Sequence, residues 1–149
     1  MKSQDTWFSE YAVSHQNQTN QKIHYICVPL IFWSIVGLLV SIPSKSLGIE
    51  NPYLGNWAIP VLGLAMIFYF LNLKLKNSIL MLVFALLCIA FAVWVSKYVS
   101  LWKLSLAVFV IAWIGQFYGH KLEGAKPSFL EDLQFLLIGP AWVFEKMTR

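Results

Sequence analysis

The sequence predicts an all-α integral membrane bundle, and three observations carry that reading. Hydrophobic residues make up 58% of the chain and aromatic residues 16%, with only 12% charged, a balance far from that of a soluble domain. Four apolar stretches, at about residues 25 to 43, 55 to 73, 78 to 96 and 102 to 119, are each long enough to cross a hydrocarbon core of roughly 30 Å. None carries a charge in its middle.

Before the first stretch, Trp7, Phe8, Tyr11 and Ala12 recur at helical spacing within Ser3 to Gln16, with Asp5 or Thr6 as N-cap. Trp7, Tyr11 and His15 share one stripe, as expected of a short helix lying in the membrane interface. The first 23 residues are polar, with a run Gln16-Asn17-Gln18-Thr19-Asn20-Gln21, so the first stretch lacks the layout of a cleaved signal and reads as a retained span. Small or helix-breaking residues within the spans (Pro29, Gly37, Pro60, Gly63, Gly115) are tolerated where neighbouring helices pack. Cys27 and Cys88 both fall inside spans, which argues against a disulfide.

After Pro127, Ser128 and Glu131 form a capping box ahead of a second amphipathic segment that Gly139-Pro140 interrupts. Its uninterrupted part is short for a span, so an interfacial or re-entrant helix pair is expected, with a fifth span as the alternative. No repeat or linker divides the chain, and residues 1–149 read as a single membrane-embedded domain.

Charge orients the bundle. Lys2, Lys22, Lys74, Lys76, Lys121, Lys126, Lys146 and Arg149 fall on one side and only Lys45, Lys97 and Lys103 on the other, which places both termini in the cytoplasm. The net charge of +4 is then a topology signal, and no basic and aromatic interleaving points to nucleic acid.

The chemistry lies at the span ends. With an even number of spans, the entrance of the first and the exit of the fourth emerge on one face, so His24 and His120 can meet, and the amino-terminal helix delivers His15 beside them. Imidazole is the commonest side-chain ligand of transition metals and needs its second nitrogen fixed, a role open to Asn17 or Asn20. Gln116, His120 and Glu123 align on one helix face if the fourth span continues. Each residue also has an ordinary reading. A lone interfacial histidine is commonly a satisfied polar group, the Asn and Gln run could be a solvated turn, and Glu123 could pair with Lys121, Lys126 or water. Gln116 could serve contacts between helices.

The pattern Tyr11…His15-x-Asn17-x-x-Asn20-x-x-Ile23-His24-x-x-x-Val28-Pro29, followed by Trp113-Ile114-x-Gln116-Phe117-x-Gly119-His120 and Pro127, resembles the fungal 2-hydroxy-palmitate dioxygenase family of phytosphingosine breakdown. The likeness continues more loosely through Leu130, Asp132 and Gln134, and the middle spans match in character only. It implies a small multi-pass membrane protein that uses Fe(II) and molecular oxygen to remove one carbon from a 2-hydroxy fatty acid. His15, His24 and His120 would be the metal ligands. Some relatives carry a second histidine where this chain has Gln16, so a fourth ligand would be Glu123, Gln16 or water.

Three neutral imidazoles leave a divalent ion its full charge, which favours an anionic substrate. A 2-hydroxy acid can chelate through carboxylate and hydroxyl and leave a position for oxygen, by analogy with facial-triad iron sites. Lys22, Lys121 or Lys126 could attract the carboxylate, and the acyl tail would lie among apolar side chains of the spans. Imidazole suits zinc as well as iron, so a zinc-dependent lipid-modifying enzyme is the nearer rival. A structural membrane protein is a further reading. A transporter would bury more polar groups than Gln116 and Asn72 near the span ends. A G-x-S-x-G elbow, a phosphate loop, a dinucleotide fingerprint and a haem-attachment C-x-x-C-H are all missing from the sequence. Oligomeric state is not legible.

Overall fold

The computed structural model describes residues 3–43, 48–124 and 129–148, the side chains of residues 129–135 excepted. Six helices run in order: α1 Gln4–Val13, α2 Gln18–Val40, α3 Ala58–Asn72, α4 Leu75–Val95, α5 Leu101–Glu123 and α6 Phe129–Met147. Three of them, α2, α4 and α5, are long and apolar enough to cross a membrane. The stretch expected as the second span yields the 15-residue α3, about 22 Å long at 1.5 Å per residue. Exposed Leu64, Ile67, Val83, Leu87, Ile111 and Ile114 give the bundle the apolar exterior that suits lipid and is rare on soluble monomers. Lys45, Lys126, Pro127 and Ser128, together with the side chain of Glu131, fall outside the described residues.

Helix α2 packs most extensively against α5. The two run antiparallel: a Cβ on Gly119 would collide with Asn20 Oδ1, one on Gly115 would sit 2.7 Å from Cys27 Sγ, and Gly37 faces Ser105. Gly115 and Gly119 lie one turn apart, the small-xxx-small spacing that lets two backbones approach closely in lipid. This close pairing sets the entrance of α2 against the exit of α5. Helix α5 stops at Gly124, whose φ of 72° is the left-handed conformation that glycine adopts without Cβ strain.

Two expectations about local structure change. Helix α1 is capped by Ser3, whose hydroxyl accepts from the Thr6 amide at 3.3 Å, and Asp5 and Thr6 already lie within the helix. Gly139-Pro140 does not divide the carboxyl-terminal segment: α6 passes through both as one helix. Proline removes one backbone donor, and within that disturbed turn the Leu137 carbonyl accepts the Tyr69 hydroxyl at 2.8 Å. A Cβ on Gly139 would meet Tyr11 Oη at 3.1 Å and Val28 Cγ1 at 3.3 Å, so this turn is where α6 crosses α1 and α2. Ile138, Ala141, Trp142 and Val143 are buried there.

Gln4 ties α1 to the turn between α3 and α4. Its Oε1 accepts from the Lys74 amide at 2.7 Å and from Asn77 Nδ2 at 3.0 Å, and both Gln4 and Asn77 are buried. The exposed Lys74–Asp5 pair beside it adds little. Helix α1, the α3–α4 turn, the start of α2 and the end of α5 therefore gather at one end of the bundle. Cys27 and Cys88 are free thiols.

Candidate metal centre

His15, His24 and His120 meet at that end. Their ligand atoms lie within 4.8 Å of one another. Their relative exposures are 3%, 0% and 4%, so the three imidazoles face one another out of contact with solvent. Ring centroids stand 4.3 Å apart for His15 and His24, 4.9 Å for His24 and His120, and 5.3 Å for His15 and His120. Each pair is edge-to-face. The cavity they share with Tyr11, Val28, Trp113, Gln116 and Leu136 is about 20 Å³, room for one water-sized occupant.

His15 follows α1 directly. Its Nδ1 is 2.6 Å from the Tyr11 carbonyl, one turn back. His24, inside α2, repeats the device with its Nδ1 2.9 Å from the Asn20 carbonyl. A carbonyl oxygen only accepts, so Nδ1 carries the proton in both rings and Nε2 holds the lone pair. Both Nε2 atoms are buried; that of His15 meets no hydrogen-bond partner among the described residues, and the Gln116 side chain interacts with the His24 ring. An imidazole with one nitrogen anchored to a carbonyl and the other aimed at fellow imidazoles is the arrangement of a metal ligand. The donor set fits a metal ion: three nitrogens bound to one ion at about 2.1 Å stand about 3.0–3.6 Å apart, so the rings would draw in by roughly an ångström from separations that now reach 4.8 Å.

Burial draws the His15 imidazole down from 6.5 to about 4. Loss of solvation dominates, and the neighbouring His120 works in the same direction. The Tyr11 carbonyl and the Glu123 carboxylate oppose them without prevailing. His15 is therefore neutral at neutral pH and able to act as a ligand. Its ring stacks on Tyr11 at 4.1 Å and 5°, and Trp142 of α6 closes over both at 5.6 Å and 5.0 Å.

The Asn and Gln run holds the turn that presents His15. Asn17 caps α2, its Oδ1 accepting from the Thr19 and Asn20 amides at 2.9 and 3.2 Å. Asn20 Nδ2 donates to the Ser14 carbonyl at 3.2 Å, and Gln21 Nε2 to the His15 carbonyl at 2.7 Å. Asn20 thus fixes His24 through its backbone oxygen and the turn through its side chain. Asn17 reaches neither imidazole. Gln116 lies beside the histidines in the cavity wall.

Glu123, one turn beyond His120, turns its carboxylate to the α1–α2 turn. It accepts from the Gln16 amide at 2.7 Å, the Asn17 amide at 2.9 Å and Asn20 Nδ2 at 3.0 Å. Both its oxygens are committed there, and the Gln16 side chain returns to the Ala12 carbonyl at 2.5 Å. Lys22 and Lys121 are exposed and do not line the cavity, while Lys126 lies outside the described residues. The sequence reading missed the carbonyls of Tyr11 and Asn20 and the walls contributed by Trp113, Leu136 and Trp142. Only the i, i+4 spacings Tyr11–His15 and Asn20–His24 could have signalled the carbonyls.

The whole of residues 1–149 matches the family model described as 2-hydroxy-palmitic acid dioxygenase Mpo1-like, and the chain belongs to that family. No curated protein and no solved structure matches it.

Proposed function

We propose that this member of the 2-hydroxy-palmitic acid dioxygenase family is an Fe(II)-dependent enzyme that shortens 2-hydroxy fatty acids by one carbon. His15, His24 and His120 would hold the ion, at the cytoplasmic rim of the membrane-embedded bundle. The observation that carries this reading is the convergence of three buried imidazoles, His15, His24 and His120, with ligand atoms within 4.8 Å of one another and the Nε2 of His15 left without a partner among the described residues. Bound iron would supply the electrons and open coordination positions that allow molecular oxygen to react with a 2-hydroxy carboxylate.

The protein's own groups do the rest. The carbonyls of Tyr11 and Asn20 keep two imidazoles in the liganding tautomer. A ligand set without a carboxylate preserves the positive charge that attracts the acid's carboxylate and hydroxyl. Glu123 and Gln16 are engaged elsewhere, which leaves remaining positions to substrate, oxygen or water. Tyr11, Val28, Trp113 and Leu136 keep bulk water out. Atoms balance when one acid and one dioxygen yield the acid one carbon shorter, carbon dioxide and water. The excess of basic residues around this end of the bundle supports a cytoplasmic orientation for it.

The test is metal content of the detergent-purified protein by mass spectrometry, with anaerobic Fe(II) reconstitution and assay for the shortened acid. One iron per chain with turnover is expected. Stoichiometric zinc without turnover would replace the reading with a zinc-dependent lipid-modifying enzyme, to which three imidazoles are equally suited. Absence of any retained metal would leave a structural membrane protein.

A further inference from the structure

An apolar groove of about 570 Å³ runs along the outer side of the α2–α5 pair, lined by Ile35 and Leu38 of α2, Phe109, Trp113 and Phe117 of α5, and Leu136 of α6. Its volume is that of a small-molecule site. Trp113 and Leu136 also line the histidine cavity. A single pair of side chains therefore separates a polar, buried cluster from a long apolar trough. That is the shape of a molecule with a chelating head and a hydrocarbon tail.

We infer that this groove binds the acyl tail of the substrate and measures its length, an inference that rests on the dioxygenase reading for what sits at the head. From His24 to Leu38, α2 advances about 21 Å, and from His120 back to Phe109, α5 covers about 17 Å. A hydrocarbon zigzag with bonds of about 1.5 Å advances about 1.25 Å per carbon. The distance from the histidines to the far end of the groove thus matches a tail of roughly 13–17 carbons. Leu38 and Phe109 mark its far end, and Trp113 and Leu136 are the gate where the tail leaves the metal cavity. The groove opens toward the lipid phase, since Ile114 and Phe117 on its rim are 63% and 45% exposed. An acid dissolved in the bilayer can therefore enter sideways.

The test uses the Fe(II)-loaded protein in phosphatidylcholine vesicles under nitrogen, with 2-hydroxyhexadecanoic acid carrying a diazirine at its last carbon. Photolabelling is expected at residues 35, 38, 109 and 110 and is expected to be suppressed by excess unlabelled 2-hydroxyhexadecanoic acid. The bilayer lipid is already in excess and cannot account for such competition. Labels spread evenly over the lipid face of α4 as well, without competition, would show a groove filled by bilayer tails and overturn the inference. In the aerobic assay, Leu38→Trp is expected to raise the ratio of turnover on 12-carbon over 16-carbon acids on the order of tenfold, with metal content unchanged. Leu87→Trp, on the lipid face of α4, is expected to leave that ratio alone. An unchanged ratio in Leu38→Trp also overturns the inference. Competed labelling without turnover retains the groove and refutes the dioxygenase, whereas turnover with scattered labelling does the reverse.

Discussion

His15, His24 and His120 come from three separate elements, and each reaches the cavity for its own local reason. His24 and His120 sit on facing turns of an antiparallel helix pair, and His15 rides on a turn held down by Asn20, Gln21 and Glu123. If the three share one ion, His24→Ala and His120→Ala are each expected to abolish metal retention, measured by mass spectrometry after gel filtration. Lys103→Ala, exposed near the opposite end of α5, is expected to retain it. Equal metal content in all three variants would sink the shared site. Glu123 acts one step further out, as a positioning residue. Glu123→Ala leaves the amides of Gln16 and Asn17 without their carboxylate acceptor and the Asn20 side-chain amide with only the Ser14 carbonyl, and weakening of such a support typically costs on the order of tenfold in metal affinity. An unchanged affinity in a competition titration would show that the turn holds His15 without it.

At the scale of elements, the α2–α5 contact decides where the site forms. Gly119 lies against Asn20 without room for a methyl group, and Asn20 is the residue whose carbonyl anchors His24. Gly119→Ala is therefore expected to push the helices apart at the centre itself. The expected cost is about 1–3 kcal/mol, read as a lowered unfolding midpoint in detergent, together with weakened metal binding. A wild-type midpoint and affinity would mean that the pair packs more loosely than the contact indicates. Helix α6 illustrates the opposite case, in which a local break signal is overruled. Gly139-Pro140 reads as an interruption in isolation, yet glycine admits the close crossing with Tyr11 and Val28, and packing around Ile138 to Val143 holds the helix continuous across the proline.

For the whole molecule, the amino- and carboxyl-terminal helices lie side by side: Asp5, Phe8, Ser9 and Ala12 of α1 line one cavity with Trp142, Glu145 and Lys146 of α6. Reporters fused at the two ends are expected on the same side of the membrane, the cytoplasmic one by charge, and accessible to the same impermeant label. Ends on opposite sides would refute both the orientation and the placement of the metal centre at that rim.

Hydropathy and spacing sufficed, from sequence alone, for the helical membrane class, the free cysteines and the placing of all three histidines near helix ends, because burial in lipid and helical periodicity are properties of contiguous residues. The family likeness rested on the same local blocks. What only the tertiary structure decided was non-local: that backbone carbonyls rather than Asn side chains orient the imidazoles, that Glu123 serves the turn rather than the cluster, and that α3 is short. The groove joining α2, α5 and α6 likewise belongs to no single segment. Hydrogen-bond partners more than a hundred residues apart, such as Glu123 and Gln16, depend on how helices pair, and pairing follows from packing in three dimensions that no sequence window contains.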